Sequence, residues 1–242
     1  MRGLFVTGTD TGVGKSVLSA ALIAAMVAEG ESVRAFKPVV TGLDEPPPDA
    51  GAETTQWPPD HELLASVAEM SPDAVSPWRY GAAASPHLAA QLDGERIDPA
   101  QLLVHARNGA HPETTDTADE MLVVEGVGGL LVPLTERYTV CDFAVALGLP
   151  VVIAARPGLG TINHTLLTLR AARSAGLQVS AVVLTPWPQQ PTTMERSNRE
   201  TIERLGEVEV ESLARVPSSG VAELARAGEL LPWRRWLGYH PR

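Results

Sequence analysis

Gly8-Thr9-Asp10-Thr11-Gly12-Val13-Gly14-Lys15-Ser16 carries the clearest chemistry in this chain. Its three glycines let the backbone wrap N–H groups around phosphate oxygens. Lys15 then reaches toward the outer phosphates of a nucleoside triphosphate, and the Ser16 hydroxyl toward Mg²⁺. The residues Thr9 to Val13 put five positions between Gly8 and Gly14, one more than the usual phosphate loop has. A chance Gly-Lys-Ser in an ordinary turn is the competing reading. It is outweighed by the apolar run Gly3–Thr7 ahead of the loop and the Ala-rich run Val17–Ala28 behind it, which read as a strand and a helix.

Three more loops carry candidate groups. Lys37-Pro38-Val39-Val40-Thr41-Gly42 puts a lysine, a hydroxyl and a glycine amide after an apolar run. Lys37 reads equally well as a contact for a phosphate, carboxylate or carbanionic group and as a solvated strand-end lysine. Glu125-Gly126-Val127-Gly128-Gly129 closes another apolar run with a carboxylate, which suits a hard cation such as Mg²⁺. Arg156-Pro157-Gly158-Leu159-Gly160-Thr161-Ile162-Asn163-His164 leads free amides into a helix, an arrangement that accepts a carboxylate. His164 has no carboxylate near it in sequence and reads as structural. His61, His87, His105, His111 and His240 show no metal-ligand spacing. The single Cys141 has no activating motif around it and reads as a small buried residue.

These loops need a scaffold that presents them together. Strands are expected at Leu4–Thr7, Val33–Phe36, Met121–Val124, Pro150–Ala154, Ala181–Leu184 and Leu213–Val216, nearly all apolar, as strands buried on both faces of a parallel sheet are. Helices are expected at Val17–Ala28, His61–Ala68, Pro99–Arg107, Val140–Leu147, Asn163–Ala175 and Thr193–Leu205. The alternation predicts an α/β fold, a P-loop NTPase-type three-layer sandwich with a mostly parallel central sheet between helices, in a single domain over residues 1–242. Ligands bind beyond the C-terminal ends of such strands, where the loops above lie. Asp44–Pro59, with Pro46-Pro47-Pro48 and Pro58-Pro59, reads as a loop near the site or a linker. The Trp233-Arg234-Arg235-Trp236 tail reads as packing on the body in preference to an oligomer contact.

Composition sets limits. Forty-four per cent of the 242 residues are apolar, enough for a sizeable core, and a net charge of −10 argues against nucleic acid as a partner. Arginine supplies nearly all the positive charge, so Lys15 and Lys37 stand out. No apolar run reaches the ~20 residues that span a bilayer. With one cysteine and no recognisable leader, a cytoplasmic location is expected.

Taken in order, Phe5–Ser16, Lys37–Gly42, Ser85-Pro86-His87, Val124–Gly129 and Leu159–His164 resemble the dethiobiotin synthetases, ATP-dependent ligases of biotin biosynthesis. The resemblance covers residues 1 to about 185. It implies that diaminopelargonic acid, CO₂ and ATP become dethiobiotin, ADP and phosphate through a carbamate and its phosphorylated form. It implies catalytic roles for Lys15, Lys37 and Thr11, and nucleotide contacts from Thr9, Asp10, Thr11, Gly12, Val13, Gly14, Lys15, Ser16, Val17, Thr185 and Pro217. The diamine would be held by Lys37, Thr41 and Gly128. Its tail carboxylate would be held by Leu159, Gly160, Thr161, Ile162 and Asn163 of the other subunit of a homodimer. Mg²⁺ would sit among Ser16, Glu125 and Asp60, with Glu62 as the alternative to Asp60. Neither nucleic acid nor membrane is implied as a partner.

Two positions depart from the pattern. Ser16 stands where the family usually has Thr and keeps the hydroxyl. Thr185 stands where many members have Asn, and it cannot make an amide's paired donor and acceptor contact to adenine. That leaves CTP and other nucleoside triphosphates open as co-substrates. A dimer switch of the partition or site-placing ATPase type shares the loop and fold, but usually has an extra lysine early in the loop, where Thr9, Asp10 and Thr11 stand here. The synthetase part of a cobyrinate-type amidotransferase also shares the loop; its glutaminase domain and nucleophile-elbow cysteine have no counterpart in this sequence.

Overall fold

The computed structural model describes residues 1–45, 57–108 and 120–238. The chain opens with β1 (Arg2–Gly8), α1 (Lys15–Ala28) and β2 (Val33–Phe36). The helices α2 (Asp60–Ala68), α3 (Pro72–Val75), α4 (Pro86–Leu92) and α5 (Pro99–Asn108) follow before β3 (Met121–Glu125). A small antiparallel hairpin, β4 (Pro133–Thr135) and β5 (Tyr138–Thr139), leads into α6 (Val140–Leu147), β6 (Val151–Ala155) and α7 (Thr161–Ser174). The last elements are β7 (Val179–Trp187), α8 (Thr193–Gly206), β8 (Val210–Ala214), α9 (Val221–Glu229) and α10 (Trp233–Trp236).

Six strands form one sheet in the order β2-β3-β1-β6-β7-β8, and every neighbouring pair is parallel. Side chains alternate between its faces with the strand period of two. Leu4, Val6, Met121, Val123, Val152 and Val183 face a core shared with α1, α2, α9 and α10. Phe5, Leu122, Val124, Ile153, Val182 and Leu184 face the core under α4 to α8. The result is the expected three-layer α/β sandwich. Since all the strands run the same way, the loops after β1, β2, β3, β6, β7 and β8 emerge along one edge.

The structure corrects several boundaries. The last strand is Val210–Ala214 and not Leu213–Val216. It lies at the sheet edge, where Glu209 and Glu211 interrupt the apolar run. Glu209 accepts hydrogen bonds from Arg235 and from the Trp236 indole N–H at 3.0 Å, so the C-terminal tail covers this edge. Trp233 and Trp236 are buried against the core of α1 and α9. Helices α1, α2 and α7 start one or two residues earlier than expected, which puts Lys15, Ser16, Asp60 and Thr161 into first turns. The short elements α3, α4, α9, α10, β4 and β5 were not foreseen; most are too brief for a period to show.

Candidate active site

Gly14 sets the geometry of the phosphate loop. It caps α1 in the left-handed region at φ 90°, and no side chain caps the helix. The first-turn N–H groups of α1 are thus left to an anion. Above them, Thr11, Gly12, Gly14, Lys15, Ser16 and Val17 line a cavity of about 760 Å³ together with Lys37, Thr41, Asp60 and Gly128. Four separate stretches of chain, the ends of β1, β2 and β3 and the start of α2, therefore converge on one space at the sheet's C-terminal edge.

At its floor the charged groups touch. Lys15 and Lys37, the only lysines in the sequence, are both buried. The Lys15 ammonium donates to the Asp10 carbonyl oxygen at 2.9 Å, within its own loop. The Lys37 ammonium bonds to both Asp60 and Glu125. The Ser16 hydroxyl reaches the same two carboxylates, at 2.6 Å to Asp60 Oδ1 and 3.0 Å to Glu125 Oε1.

Burial lowers the Lys15 pKa, and the nearby carboxylates only partly offset it. Burial also works against the Lys37 charge, but Asp60 and Glu125 outweigh it and hold the ammonium well above the usual lysine range. Burial pushes the Asp60 carboxyl up; the Lys37 charge and the hydrogen bonds from Lys37 and Ser16 more than reverse this and hold it low. Glu125 is wholly buried, and there desolvation prevails over Lys37 and raises its pKa. The pair is asymmetric: Lys37 and Ser16 hold the Asp60 carboxyl below the ordinary range, and burial holds Glu125 above it.

The donor set suits a small hard cation. Among the described residues the buried Glu125 Oε2 has no hydrogen-bond partner, an unmet acceptor beside a hydroxyl and a second carboxylate. Mg²⁺ is commonly held by one or two carboxylates plus substrate phosphates and water, which Ser16, Asp60 and Glu125 below a phosphate loop would provide. Among the described residues no group of three or more His, Cys, Asp or Glu gathers for a transition metal.

Other candidates named from the sequence fall outside this cluster. Thr9 and Asp10 border a second recess of about 400 Å³ with Leu131, Leu167 and Thr168. Val13 is buried beneath the loop. Thr185 is buried at the end of β7, where a Cβ on Gly14 would come within 2.9 Å of its methyl group. Pro217 lies just past β8, on the same edge of the sheet. Leu159, Gly160, Thr161, Ile162 and Asn163 do not line the large cavity, and Leu159 is 93% exposed. Glu62 is exposed on α2 and does not line the cavity either. Cys141 is buried, which raises its thiol pKa, and His164 sits exposed in the first turn of α7. His111 and His240 lie outside the described residues, as does 46–56 of the proline-rich loop.

Sequence reasoning assigned no role to Trp57, Ser85, Pro86, Val127 or Val132, all of which line the cavity. Ser85-Pro86 had a signal, since it belongs to a motif block; Trp57 had none beyond its nearness to Asp60.

Known proteins similar to this chain show its family. A family profile described as an AAA domain matches residues 2–223. The ATP-dependent dethiobiotin synthetase BioD of Bacillus subtilis strain 168 is 37% identical over 207 residues, covering 85% of this chain and 83% of the relative. The protein of the same name from Anaeromyxobacter dehalogenans strain 2CP-1 is 43% identical over 186 residues, 76% of each chain. The biotin biosynthesis bifunctional protein BioCD of Bordetella avium strain 197N is 40% identical over 238 residues, which is 98% of this chain and 43% of that longer one. This last match takes in the segment past residue 190, where the motifs thin out. With a parallel α/β sheet, a variant phosphate loop and relatives at this identity over most of its length, the chain belongs to the dethiobiotin synthetase family.

Proposed function

We propose that this protein is a dethiobiotin synthetase, a ligase that uses a nucleoside triphosphate to close a cyclic urea on diaminopelargonic acid with CO₂. The observation that carries the reading is the convergence of Lys15, Ser16, Lys37 and Asp60 on one cavity, with the buried Glu125 bonded to Ser16 and Lys37 behind it. Every species handled there is anionic: the triphosphate, the carbamate formed from one amine and CO₂, and the phosphoryl group in transfer. Buried ammonium groups aimed into such a space stabilise developing negative charge far better than they would in water. Mg²⁺ held by Ser16, Asp60 and Glu125 would neutralise phosphate charge. In the nucleotide complex Lys15 turns from the Asp10 carbonyl to the outer phosphates, and Lys37 faces the carbamate oxygens. Thr11 donates its hydroxyl to the phosphates, and Thr41 and Gly128 hold the diamine end. The second amine then attacks the carbamic phosphate, a C–N bond forms, phosphate leaves, and the amine's proton passes to water.

The homodimer is part of this proposal. Leu159–Asn163 lies outside the cavity of its own chain, and exposed Leu131 and Leu167 border the recess beside Thr9 and Asp10, an apolar surface that suits a second copy. In the dimer each turn at Gly160–Asn163 holds the tail carboxylate of the diamine in the partner's site. The base is read loosely, because Thr185 offers one hydroxyl in place of an amide, so CTP serves beside ATP. A cytoplasmic location fits a free, buried Cys141.

The test is phosphate release with Mg²⁺, bicarbonate and ATP or CTP, with and without diaminopelargonic acid. Diamine-dependent release matched by dethiobiotin is expected. Slow hydrolysis indifferent to the diamine would overturn the proposal in favour of a nucleotide switch. Dimer sharing is tested by mixing a Lys37→Met protein with an Asn163→Ala protein; recovered activity is expected, and none would refute a shared site.

A further inference from the structure

We propose that Arg156 is a positioning residue of the phosphate loop: its guanidinium clamps the Gly12 carbonyl and thereby holds the Val13 amide toward the phosphates. Arg156 leaves the C-terminal end of β6, the strand next to β1 in the sheet. Its Nε and Nη2 both donate to the Gly12 carbonyl oxygen, at 3.3 and 3.0 Å. The two residues are 144 positions apart, so this is a tertiary contact made across the sheet edge.

The consequence follows from peptide geometry. In a trans peptide the carbonyl of one residue and the N–H of the next point in opposite directions. A guanidinium on the Gly12 oxygen therefore fixes the Val13 N–H to the far side, away from Arg156. A charged donor on that oxygen also polarises the peptide and makes its N–H a stronger donor. A glycine-rich loop has many other conformations available, and every one that turns this peptide over loses a phosphate contact.

The anchor is itself braced. The Asn198 side-chain amide, buried on α8, donates to the carbonyls of Pro157 and Gly158, at 3.0 and 3.3 Å. The chain just after Arg156 is thus pinned while its side chain reaches the loop. Lys15 holds a second loop carbonyl, that of Asp10, but it must leave to reach the nucleotide. Arg156 can stay. Its partner is a carbonyl, so its positive charge also remains available to the polyphosphate in a chain of net charge −10.

The inference rests on the nucleotide part of the reading above and is independent of the diamine. The experiment is calorimetric titration of full-length Arg156→Ala and Arg156→Met with Mg²⁺-ATP and Mg²⁺-ADP, beside steady-state kinetics and melting without nucleotide. Arg156→Met keeps the apolar stem and guards against a folding defect in the alanine variant. Both variants are expected to bind ATP and ADP about tenfold more weakly, the loss typical of a hydrogen bond to a charged group. KM for diaminopelargonic acid stays within about twofold and the melting temperature within about 2 °C, because an exposed side chain is removed from a single contact. Arg156→Lys, which keeps the charge and one donor, recovers part of the lost affinity. Unchanged nucleotide affinity in both variants would overturn the clamp. So would a loss that moves melting temperature, diamine KM and nucleotide affinity together, which would mark Arg156 as merely structural. Failure to form dethiobiotin in the wild type would refute the proposed reaction and leave the affinity comparison intact.

Discussion

Lys37→Met is the sharpest perturbation of the site, because it removes a charge and keeps the shape of the chain. The Lys37 side chain is buried, and its ammonium is the contact that Asp60 and Glu125 share. Taking away one partner of a buried ion pair costs about 3–5 kcal/mol. The lower end applies here, because Asp60 is partly open to the cavity and Glu125 can relieve the loss by taking a proton. About 3 kcal/mol corresponds to a drop of roughly 6–12 °C in melting temperature for a domain of this size. The drop depends on pH with a definite sign. In the wild type Asp60 is held low, so its contribution is present above the ordinary Asp pKa and fades as pH falls through its folded value. In the variant Glu125 is pushed up by burial with no Lys37 to oppose it. Its contribution is full below the ordinary Glu pKa and is lost as pH rises through the folded value. Lys37 itself is raised above the ordinary lysine value, so its charge does not change between pH 5 and 8. Asp60 completes its change below the ordinary Asp value, so between pH 5 and pH 8 it is Glu125 that widens the gap between the two proteins as pH rises. Scanning fluorimetry at fixed protein concentration, in chelator, at pH 5 and pH 8 reads this directly. Mg²⁺ without nucleotide should raise the variant's melting temperature more than the wild type's, because the metal supplies the missing charge. Turnover falls by about 10²–10³-fold, the usual loss for one preorganised electrostatic group. A variant that melts within about 2 °C of wild type at pH 8, or that loses the same amount at both pH values, would refute this account of the floor of the site.

Three further outcomes follow from individual contacts. Ser16→Ala should raise the Mg²⁺ needed for half-maximal phosphate release about tenfold, while Ser16→Thr, which keeps the hydroxyl, should not; a Mg²⁺ titration of each separates them. Thr185→Asn should tilt the ratio of kcat/KM values toward ATP over CTP by about tenfold, the value of one polar contact to a base; equal ratios in the two proteins would remove Thr185 from base selection. Gly228→Ala should lower stability by about 1–3 kcal/mol without changing KM for ATP, because a Cβ there would lie 2.0 Å from the Ala21 carbonyl oxygen where α9 crosses α1. Urea unfolding with unchanged slope checks it.

What the sequence disclosed, and what it withheld, divides along a physical line. The phosphate loop was legible because a backbone that must bend around phosphate fixes residue types at fixed spacing. The four inner strands β3, β1, β6 and β7 were legible because burial on both faces demands unbroken apolar runs, and the short edge strand β2 was legible because it too is wholly buried. The edge strand Val210–Ala214 was displaced in the reading because an edge admits Glu209 and Glu211, whose partners Arg235 and Trp236 lie more than twenty residues on. Distance in sequence hid the rest in the same way. Nothing local marks Arg156 as a neighbour of Gly12, or Trp57 as a wall of the cavity.

The same distinction bears on why the site is built from two carboxylates of unequal character. Asp60 opens a helix at the cavity surface, whereas Glu125 ends a strand in the middle of the sheet. A sheet interior cannot hold a lone carboxylate, so a cation must always stand against Glu125, or it takes a proton. The Lys37 ammonium fills that role, and Ser16 bonds to the same oxygen, Oε1. Ser16, Asp60 and Glu125 would also hold Mg²⁺, which would supply part of that positive charge beside Lys37. The Lys37–Glu125 salt bridge thus stabilises a fold that would otherwise bury an unpaired charge at the end of β3.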